Sequence, residues 1–560
     1  MIEIPAIKEQ HELNVLIIDD QILVHGVVKS ALSELGMRNV RTAENAYYAA
    51  RLCSEVRFDI ILLAFNVKSD KDGFHLLEEL KLKGHITKTT AVIFLSADTD
   101  ASLVNCVIEL QPTDFWVKPL DLKKVTERLR HVLAVKDKLY RLHYCMDHKE
   151  YASAIYFGER QLKDPALTNY YPHINRLIGE CLMHLREYEE AERFYRKLAQ
   201  ENKFGWVLIA LSHVLLKQEK EKEASELIHE LKKRKDTCFQ AYDLLAQYYI
   251  EHENYSQAYE EMKTATEMAP RNIERNKKSC NLARLNHDKL GQYIATQNMA
   301  KYAKNSIHDT PELMLNVVRA GIDLATTLPE AEASKIIQKS ERFLAQNQAD
   351  YAKKGDFKEQ LAIIQIRMLS LRDEKKKAEQ LLKEMVTKEP FESVEDNLDK
   401  VKAFHELGYR EESLKLLDHI KDQIAGDTFA SNVVAEYIKQ ESLERKDIHF
   451  TPKELSAMAT EHYKQKRFVP AYMDLSKAFT LSPNNKQVAL NLLKTLVALF
   501  EQGALDKSQK ENAVKAYDLL NQSELPEEQR QKLDEYSSLL ELDGFSKILQ
   551  EEAEKATLDT

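Results

Sequence analysis

Between residue 14 and about residue 134 the chain alternates short, unbroken apolar runs with longer amphipathic stretches, and beyond that point it never does so again. Four runs are rich in β-branched and aromatic side chains: Val15-Leu16-Ile17-Ile18, Ile60-Ile61-Leu62-Leu63, Val92-Ile93-Phe94-Leu95 and Phe115-Trp116-Val117. A fainter run from Val40 to Thr42 comes second in order and makes five. Continuous apolar runs of this length suit strands covered on both faces, as in a parallel sheet. The stretches Val27 to Leu35, Ala46 to Cys53, Phe74 to Lys83, Leu103 to Leu110 and Leu122 to Val135 read as helices. The alternation predicts a doubly wound α/β domain on a five-stranded parallel sheet, with any ligand at the carboxyl ends of the strands.

Neither Gly nor Pro occurs between Pro119 and Gly158, and apolar residues there keep three- and four-residue spacing. The last helix of the α/β domain is therefore predicted to run straight on into the next domain, a connection that transmits orientation where a Gly/Ser linker would only tether. From there the pattern is helical, and it repeats. Ala246 is followed at fixed offsets by Tyr255, Ala258, Ala265 and Pro270, and the same offsets return in Ala459, Phe468, Ala471, Ala478 and Pro483. Weaker copies hold Gly179, Tyr188 and Ala191, then Ser212 and Ala224, and first Tyr151 and Ala154. The successive alanines Ala154, Ala191, Ala224 and Ala258 lie 37, 33 and 34 residues apart. Small residues at such spacing belong where two helices cross closely, aromatics fill the groove between units, and Pro ends a helix.

Composition narrows the function classes. With 80 Lys plus Arg against 90 Asp plus Glu the net charge is −10, which argues against a nucleic-acid or membrane-surface polycation. The basic runs Lys232-Lys233-Arg234-Lys235 and Lys375-Lys376-Lys377 are short and flanked by acids, as on a solvated helix face. Only 14 Gly and 13 Pro in 560 residues fit a largely helical chain of several domains. The six cysteines form no CxxC pair, and no apolar run approaches the roughly 18 residues a membrane span needs. A reduced, cytoplasmic protein without membrane insertion is expected. No Walker loop, GxGxxG, HExxH or GxSxG is present and the histidines lack metal-ligand spacing, so no enzymatic activity is expected.

Polar residues do gather at the predicted strand ends. Asp19 and Asp20 follow the first strand, Ser96 closes the fourth, and Lys118 with Pro119 closes the fifth. Carboxylates, a hydroxyl and an ammonium around one sheet edge are the ingredients of a Mg²⁺-assisted phosphoryl site. This ordered set, with Gly73 after the third strand, resembles the receiver domain of bacterial response regulators over residues 12 to 135. The resemblance implies a pocket of Asp19, Asp20, Ser96, Lys118 and the aromatic Phe115, which in that family changes rotamer on activation. It also implies a metal site at Asp19, Asp20 and the backbone carbonyl of Asn66.

At the position where the family carries its phosphoacceptor aspartate, this chain has Ala64. A methyl group neither attacks phosphorus nor ligates a cation, so Mg²⁺ binding is expected to be weak at best. Asp70 and Asp72 offer carboxylates nearby, but a loop carboxylate is not held in line with Ser96 and Lys118. Two explanations of Ala64 stand side by side: a natural pseudo-receiver, or an Asp-to-Ala change in an otherwise working receiver. Lys118 beside two carboxylates also fits a purely structural ion pair.

The helical pattern resembles the tetratricopeptide repeat, a helix-turn-helix unit of about 34 residues. Together the parts are similar to response regulators of the VieB kind, which lack a DNA-binding output domain. The expected organisation is a tail at 1–12, a receiver at 13–135, tetratricopeptide repeats at 136–272, irregular helical repeats at 273–450, a C-terminal repeat with capping helices at 451–545 and a tail at 546–560. The resemblance implies a two-component signalling protein whose repeat groove binds protein partners, a signalling enzyme among the candidates, under a cognate histidine kinase. A constitutive scaffold is the alternative. The fourth and fifth receiver helices offer faces for a second copy, hence a homodimer, or for the repeats.

Overall fold

The computed structural model describes the chain except residues 1–3, 68–70, 99, 202–203, 329, 352–356, 373, 425–428, 448–449, 451, 482–484, 522–524, 541 and 543–560. Its first domain carries β1 (Asn14–Ile18), α1 (Ile22–Glu34), β2 (Asn39–Ala43), α2 (Ala46–Glu55), β3 (Ile60–Ala64), α3 (Gly73–Leu82), β4 (Ala91–Ser96), α4 (Ala101–Glu109), β5 (Asp114–Val117) and α5 (Leu122–Asp147). The strands are all parallel, in the order β2-β1-β3-β4-β5. β3 and β4 are buried at every position, which is why their sequences read as unbroken apolar runs. β2 is an edge strand with Asn39 and Arg41 exposed, and its apolar signal is correspondingly faint.

α5 runs for 26 residues, well past the sheet it covers. Its first half packs in the core of the sheet domain through Val125, Leu129 and Val132, and its second half joins a different core through Leu139, Leu142 and Cys145. One helix thus belongs to both layers, as its uninterrupted spacing predicts.

Seven helices come next: α6 (Tyr151–Gln161), α7 (Tyr171–Leu185), α8 (Tyr188–Glu201), α9 (Gly205–Lys217), α10 (Glu221–Lys232), α11 (Cys238–Glu251) and α12 (Tyr255–Met268). Then come α13 (Ile273–Leu285), α14 (Lys289–Ala303), α15 (Pro311–Ala325), α16 (Glu330–Tyr351), α17 (Lys358–Leu371), α18 (Lys375–Met385) and α19 (Val394–Glu406). α20 (Arg410–Ile424), α21 (Phe429–Asp447), α22 (Pro452–Lys464), α23 (Phe468–Leu481), α24 (Lys486–Phe500), α25 (Lys507–Asn521) and α26 (Glu527–Leu540) complete the series. Two compact units result: Met1–Asn276 with Lys301–Asp309, and Lys277–Ala300 with Thr310–Thr560.

The repeat is written in the backbone as well as in the side chains. Lys149, Arg186, Glu219, Glu253 and His287 each adopt a left-handed conformation with φ between 53° and 60°. Each sits in the turn that closes a helix pair. In each turn the next amide donates back to the carbonyl five residues earlier, as Glu150 N to Cys145 O, Glu187 N to Leu182 O and Lys220 N to Leu215 O. These are Schellman turns, and they tie off the last carbonyls of the first helix of each pair.

Ala191, Ala224, Ala246, Ala258, Ala265, Ala471 and Ala478 have no exposed surface and Ala459 almost none. At Gly179 an added Cβ would stand 2.1 Å from the Tyr195 hydroxyl oxygen, so the crossing of α7 and α8 leaves no room for a side chain. Tyr188, Tyr255 and Phe468 open α8, α12 and α23 and are half-buried, as is Pro270 after α12. Pro483 and residues 546–560 lie outside the described residues.

The second unit contains a buried charge lattice that periodicity does not announce. Arg367 on α17 has 2 % of its side chain exposed and pairs with Asp323 at 2.8 Å, Asp399 at 2.7 Å and Glu406 at 3.0 Å. Arg319 on α15 pairs with Asp396 at 2.6 Å and Asp399 at 3.2 Å, and Lys402 with Asp323 at 2.5 Å. Burial opposes the charge on Arg367, but Glu406, Asp323 and Asp399 outweigh it and hold the guanidinium firmly protonated. The same pairing holds the Asp323 carboxyl, against its burial, well below the usual carboxylate range through Lys402 and Arg367.

Candidate functional site: the sheet edge and its helical neighbours

The carboxyl edge of the sheet brings Asp19, Ser96 and Lys118 around Ala64. Asp19 follows β1 and is fully buried, Ser96 ends β4 with 2 % exposure, and Ala64 ends β3 with none. The Lys118 ammonium lies 2.7 Å from Asp19 Oδ2, and Asp19 Oδ1 accepts from the Gln21 amide at 3.0 Å. Ser96 Oγ donates to the Asp98 carbonyl at 2.8 Å and accepts from the Asp98 amide at 3.0 Å, closing the β4–α4 turn. Phe115 is half-buried and stacks on Phe94 with ring centroids 6.1 Å apart and planes 11° from parallel.

Gly73 is needed where it stands. A Cβ there would lie 2.0 Å from the Ala64 carbonyl oxygen, a backbone atom that cannot step aside. The start of α3 is thereby pressed against the end of β3.

The candidate cation ligands at this edge are Asp19, Asp20 and Asn66. Both Asp19 oxygens are engaged, Asp20 and Asn66 are exposed, and position 64 supplies no oxygen beyond its backbone. Among the described residues no group of three or more His, Cys, Asp or Glu side chains is arranged to hold a metal ion. Asp72 is engaged elsewhere, and Asp70 lies outside the described residues.

Within the first unit the α3 and α4 face of the sheet domain packs on α11 and α12. Phe74 and Cys106 meet Phe239, Ala265 and Ala269 in one apolar cluster, joined at its rim by Phe65 and Tyr242. Polar contacts frame it. Arg275 pairs with Glu109 at 2.5 Å and with Asp243 at 2.9 Å, and Asn272 Nδ2 donates to Glu109 Oε2 at 2.8 Å. Burial raises the Glu109 pKa, while it opposes the charge on Arg275, whose pKa is nevertheless raised by Asp243 and Glu109. Arg271 Nη1 donates to Asp72 Oδ2 at 3.1 Å, and its guanidinium lies 4.9 Å from the centre of the Phe65 ring and 5.1 Å from that of Tyr302. His308 Nε2 reaches Glu78 Oε1 on α3 at 3.2 Å. A second seam joins the Lys88 and Thr89 amides to the Asp147 carboxylate, at 2.7 Å and 3.0 Å, and Lys88 to Glu180 at 2.8 Å.

Sequence reasoning places Asp19, Ser96 and Lys118 at this edge, but it does not find Arg271, Arg275 or Phe65. The available cue was slight: two arginines one helical turn apart just after Pro270.

In the second unit a cleft of about 620 Å³ opens against the charge lattice, with Lys289, Asp323, Arg367, Lys402 and Glu406 among its lining residues. Its walls carry both signs of charge together with apolar positions such as Leu328, Ile337 and Val488.

A doubly wound domain with an Asp, a Ser and a Lys-Pro at its strand ends is the architecture of a receiver, and comparison with known proteins agrees. Residues 15–130 match the response regulator receiver domain family. A relative, the probable chemotaxis protein CheY of Rhizobium etli, is 26% identical over 121 residues, 22% of this chain and 92% of that protein. Among solved structures, the chemotaxis response regulator CheY4 of Vibrio cholerae is similar at 24% identity over 21% of this chain and 98% of that one, with a TM-score of 0.20. A response regulator from Thermotoga maritima is similar at 22% identity over 22% of this chain and 98% of that one, also with a TM-score of 0.20. The N-terminal domain is a response-regulator receiver, which supports a place in two-component signalling. It is followed by an all-helical, repeat-like region, and among the described residues no helix is long and apolar enough to cross a membrane.

Proposed function

We propose that this protein is a cytoplasmic response regulator whose receiver controls protein binding by tetratricopeptide-type repeats, held in its unphosphorylated form by Ala64. The observation that carries the reading is the convergence of Asp19, Ser96 and Lys118 at the strand ends beside a β3 that closes on the methyl group of Ala64. In a competent receiver the acceptor carboxylate attacks phosphorus, the bond to the donor's leaving group breaks, and the ammonium pairs with the new charge. Here the side chain that would form the new bond is a methyl group, so the transfer has no first step. A cognate histidine kinase is the natural donor for an aspartate at this position. The tetratricopeptide assignment draws support from the 37-, 33- and 34-residue spacing of Ala154, Ala191, Ala224 and Ala258 and from the recurring Schellman turns. The cleft of the second unit, with both charge signs and apolar positions, suits a protein segment, such as part of a signalling enzyme.

The test is intact mass after incubation with Mg²⁺ and a small phosphoryl donor, comparing this chain with Ala64→Asp. A single phosphoryl mass on the Asp form alone supports a regulator silenced at one atom group. No gain on either form removes phosphorylation control. Ala64 itself favours a second reading, a constitutive scaffold with a pseudo-receiver. Unchanged partner affinity in a phosphorylated Ala64→Asp form would select it.

A further inference from the structure

We infer that Arg271 is the residue through which the helical region senses position 64, a proposal that rests on the receiver-control reading and names its point of coupling. Phe65 follows position 64 and is fixed by its own backbone. Its amide donates to the Leu95 carbonyl at 2.8 Å and its carbonyl accepts from the Gly73 amide at 2.7 Å. Asp72, just before Gly73, caps α3 by accepting from the His75 amide at 3.0 Å through Oδ1. Arg271 grips both residues at once: the Phe65 ring under its guanidinium and Asp72 Oδ2 on its Nη1. Tyr302 lies on the same guanidinium, so the grip includes the returning segment Lys301–Asp309.

The two arginines divide the labour. Arg275 has 6 % of its side chain exposed and is held by Glu109 and Asp243, so it anchors the start of α13. Arg271 and Asp72 are each 24 % exposed, and an ion pair that open to water is weak enough to exchange. Ala64, by contrast, has no exposed surface, and its carbonyl presses on Gly73. A carboxylate or phosphorylated carboxylate at 64 adds volume beyond the methyl group at a position that has no exposed surface. Phe65 and Asp72 flank the contact, and any yielding there displaces both partners of Arg271. The occupant of position 64 is therefore coupled to the grip on residues 301–309 by contacts only one and eight residues away in sequence.

Hydrogen exchange on the full-length protein tests this in two arms. In the first, Arg271→Ala is expected to exchange at least about tenfold faster in peptides covering 72–80 and 301–309, with β1 and β4 unchanged as a check on folding. Arg271→Lys, which keeps the charge and loses the flat stacking face, is expected to fall between. Rates within about twofold of the parent in either segment overturn the grip. In the second, Ala64→Asp is loaded with Mg²⁺ and beryllofluoride. Acceleration in the same two segments, with no further change on adding Arg271→Ala, is the expected result. Loading without acceleration there overturns the coupling while leaving the receiver-control reading standing. Failure to load removes that reading and the coupling with it, while the first arm still judges the grip.

Discussion

The Lys118 ammonium stands 2.7 Å from the Asp19 carboxylate, with 9 % and 0 % of their side chains exposed. The pair persists in a pocket whose third strand ends in a methyl group. As a buried ion pair it is expected to carry structural weight whether or not a phosphoryl group ever arrives.

Removing one member of such a pair leaves the other buried without a counter-charge. Lys118→Met is expected to destabilise the receiver by about 3 kcal/mol, measured by urea denaturation. Asp20→Asn, at an exposed carboxylate, is expected to leave the midpoint unmoved. A Lys118→Met protein as stable as its parent would show that the pair has no structural weight.

At Gly73 the obstacle is backbone. Gly73→Ala is expected to cost about 2–3 kcal/mol, because the new Cβ meets the Ala64 carbonyl and α3 must withdraw from β3. A thermal melt reports it. Gly26→Ala, where a Cβ meets nothing within 4 Å, is the matched control and is expected to be tolerated.

The charge lattice of the second unit makes a sharper claim. Arg367→Met removes the cation beside Glu406 and one of the two cations beside each of Asp323 and Asp399, at a cost of about 3–5 kcal/mol. The expected signature is faster amide exchange in α15, α17 and α19 while the β-sheet of the first unit keeps its protection.

Acidification should weaken the first unit in two successive windows. Burial, with Lys88 next, lowers the His143 pKa to about 4 from 6.5, against the opposing carboxylates of Asp147 and Glu180 and with a further contribution from Lys136. Between pH 6.5 and 4 the unfolded chain binds a proton that the folded chain refuses, so stability falls as pH drops through that range. Glu78 responds at lower pH. Burial raises its pKa, but the His308 and His75 rings, 3.2 Å and 3.5 Å from the carboxylate, outweigh it and hold the carboxyl at about 2 against an ordinary 4.5. Its contribution is present above pH 4.5 and lost as pH falls toward 2. Urea midpoints taken across pH check both, since His143→Gln should flatten the upper window and Glu78→Gln the lower.

Local pattern sufficed for much of this molecule. The four apolar runs foretell β1, β3, β4 and β5, and at β3 and β4 the run is unbroken because a strand buried on both faces has no polar position to interrupt it. The spacing of Ala154, Ala191, Ala224 and Ala258 marks where helices cross, because only a small side chain fits there. The sequence alone shows that β3 ends in a methyl group, at Ala64. What tertiary structure decided lies between residues far apart in the chain. Arg271 meets Asp72 across 199 residues, and Arg367 meets Asp323 across 44. Neither arginine differs in sequence from one on a solvated helix face. Charge gains its meaning from burial and from what stands opposite, and only the folded arrangement of helices supplies both.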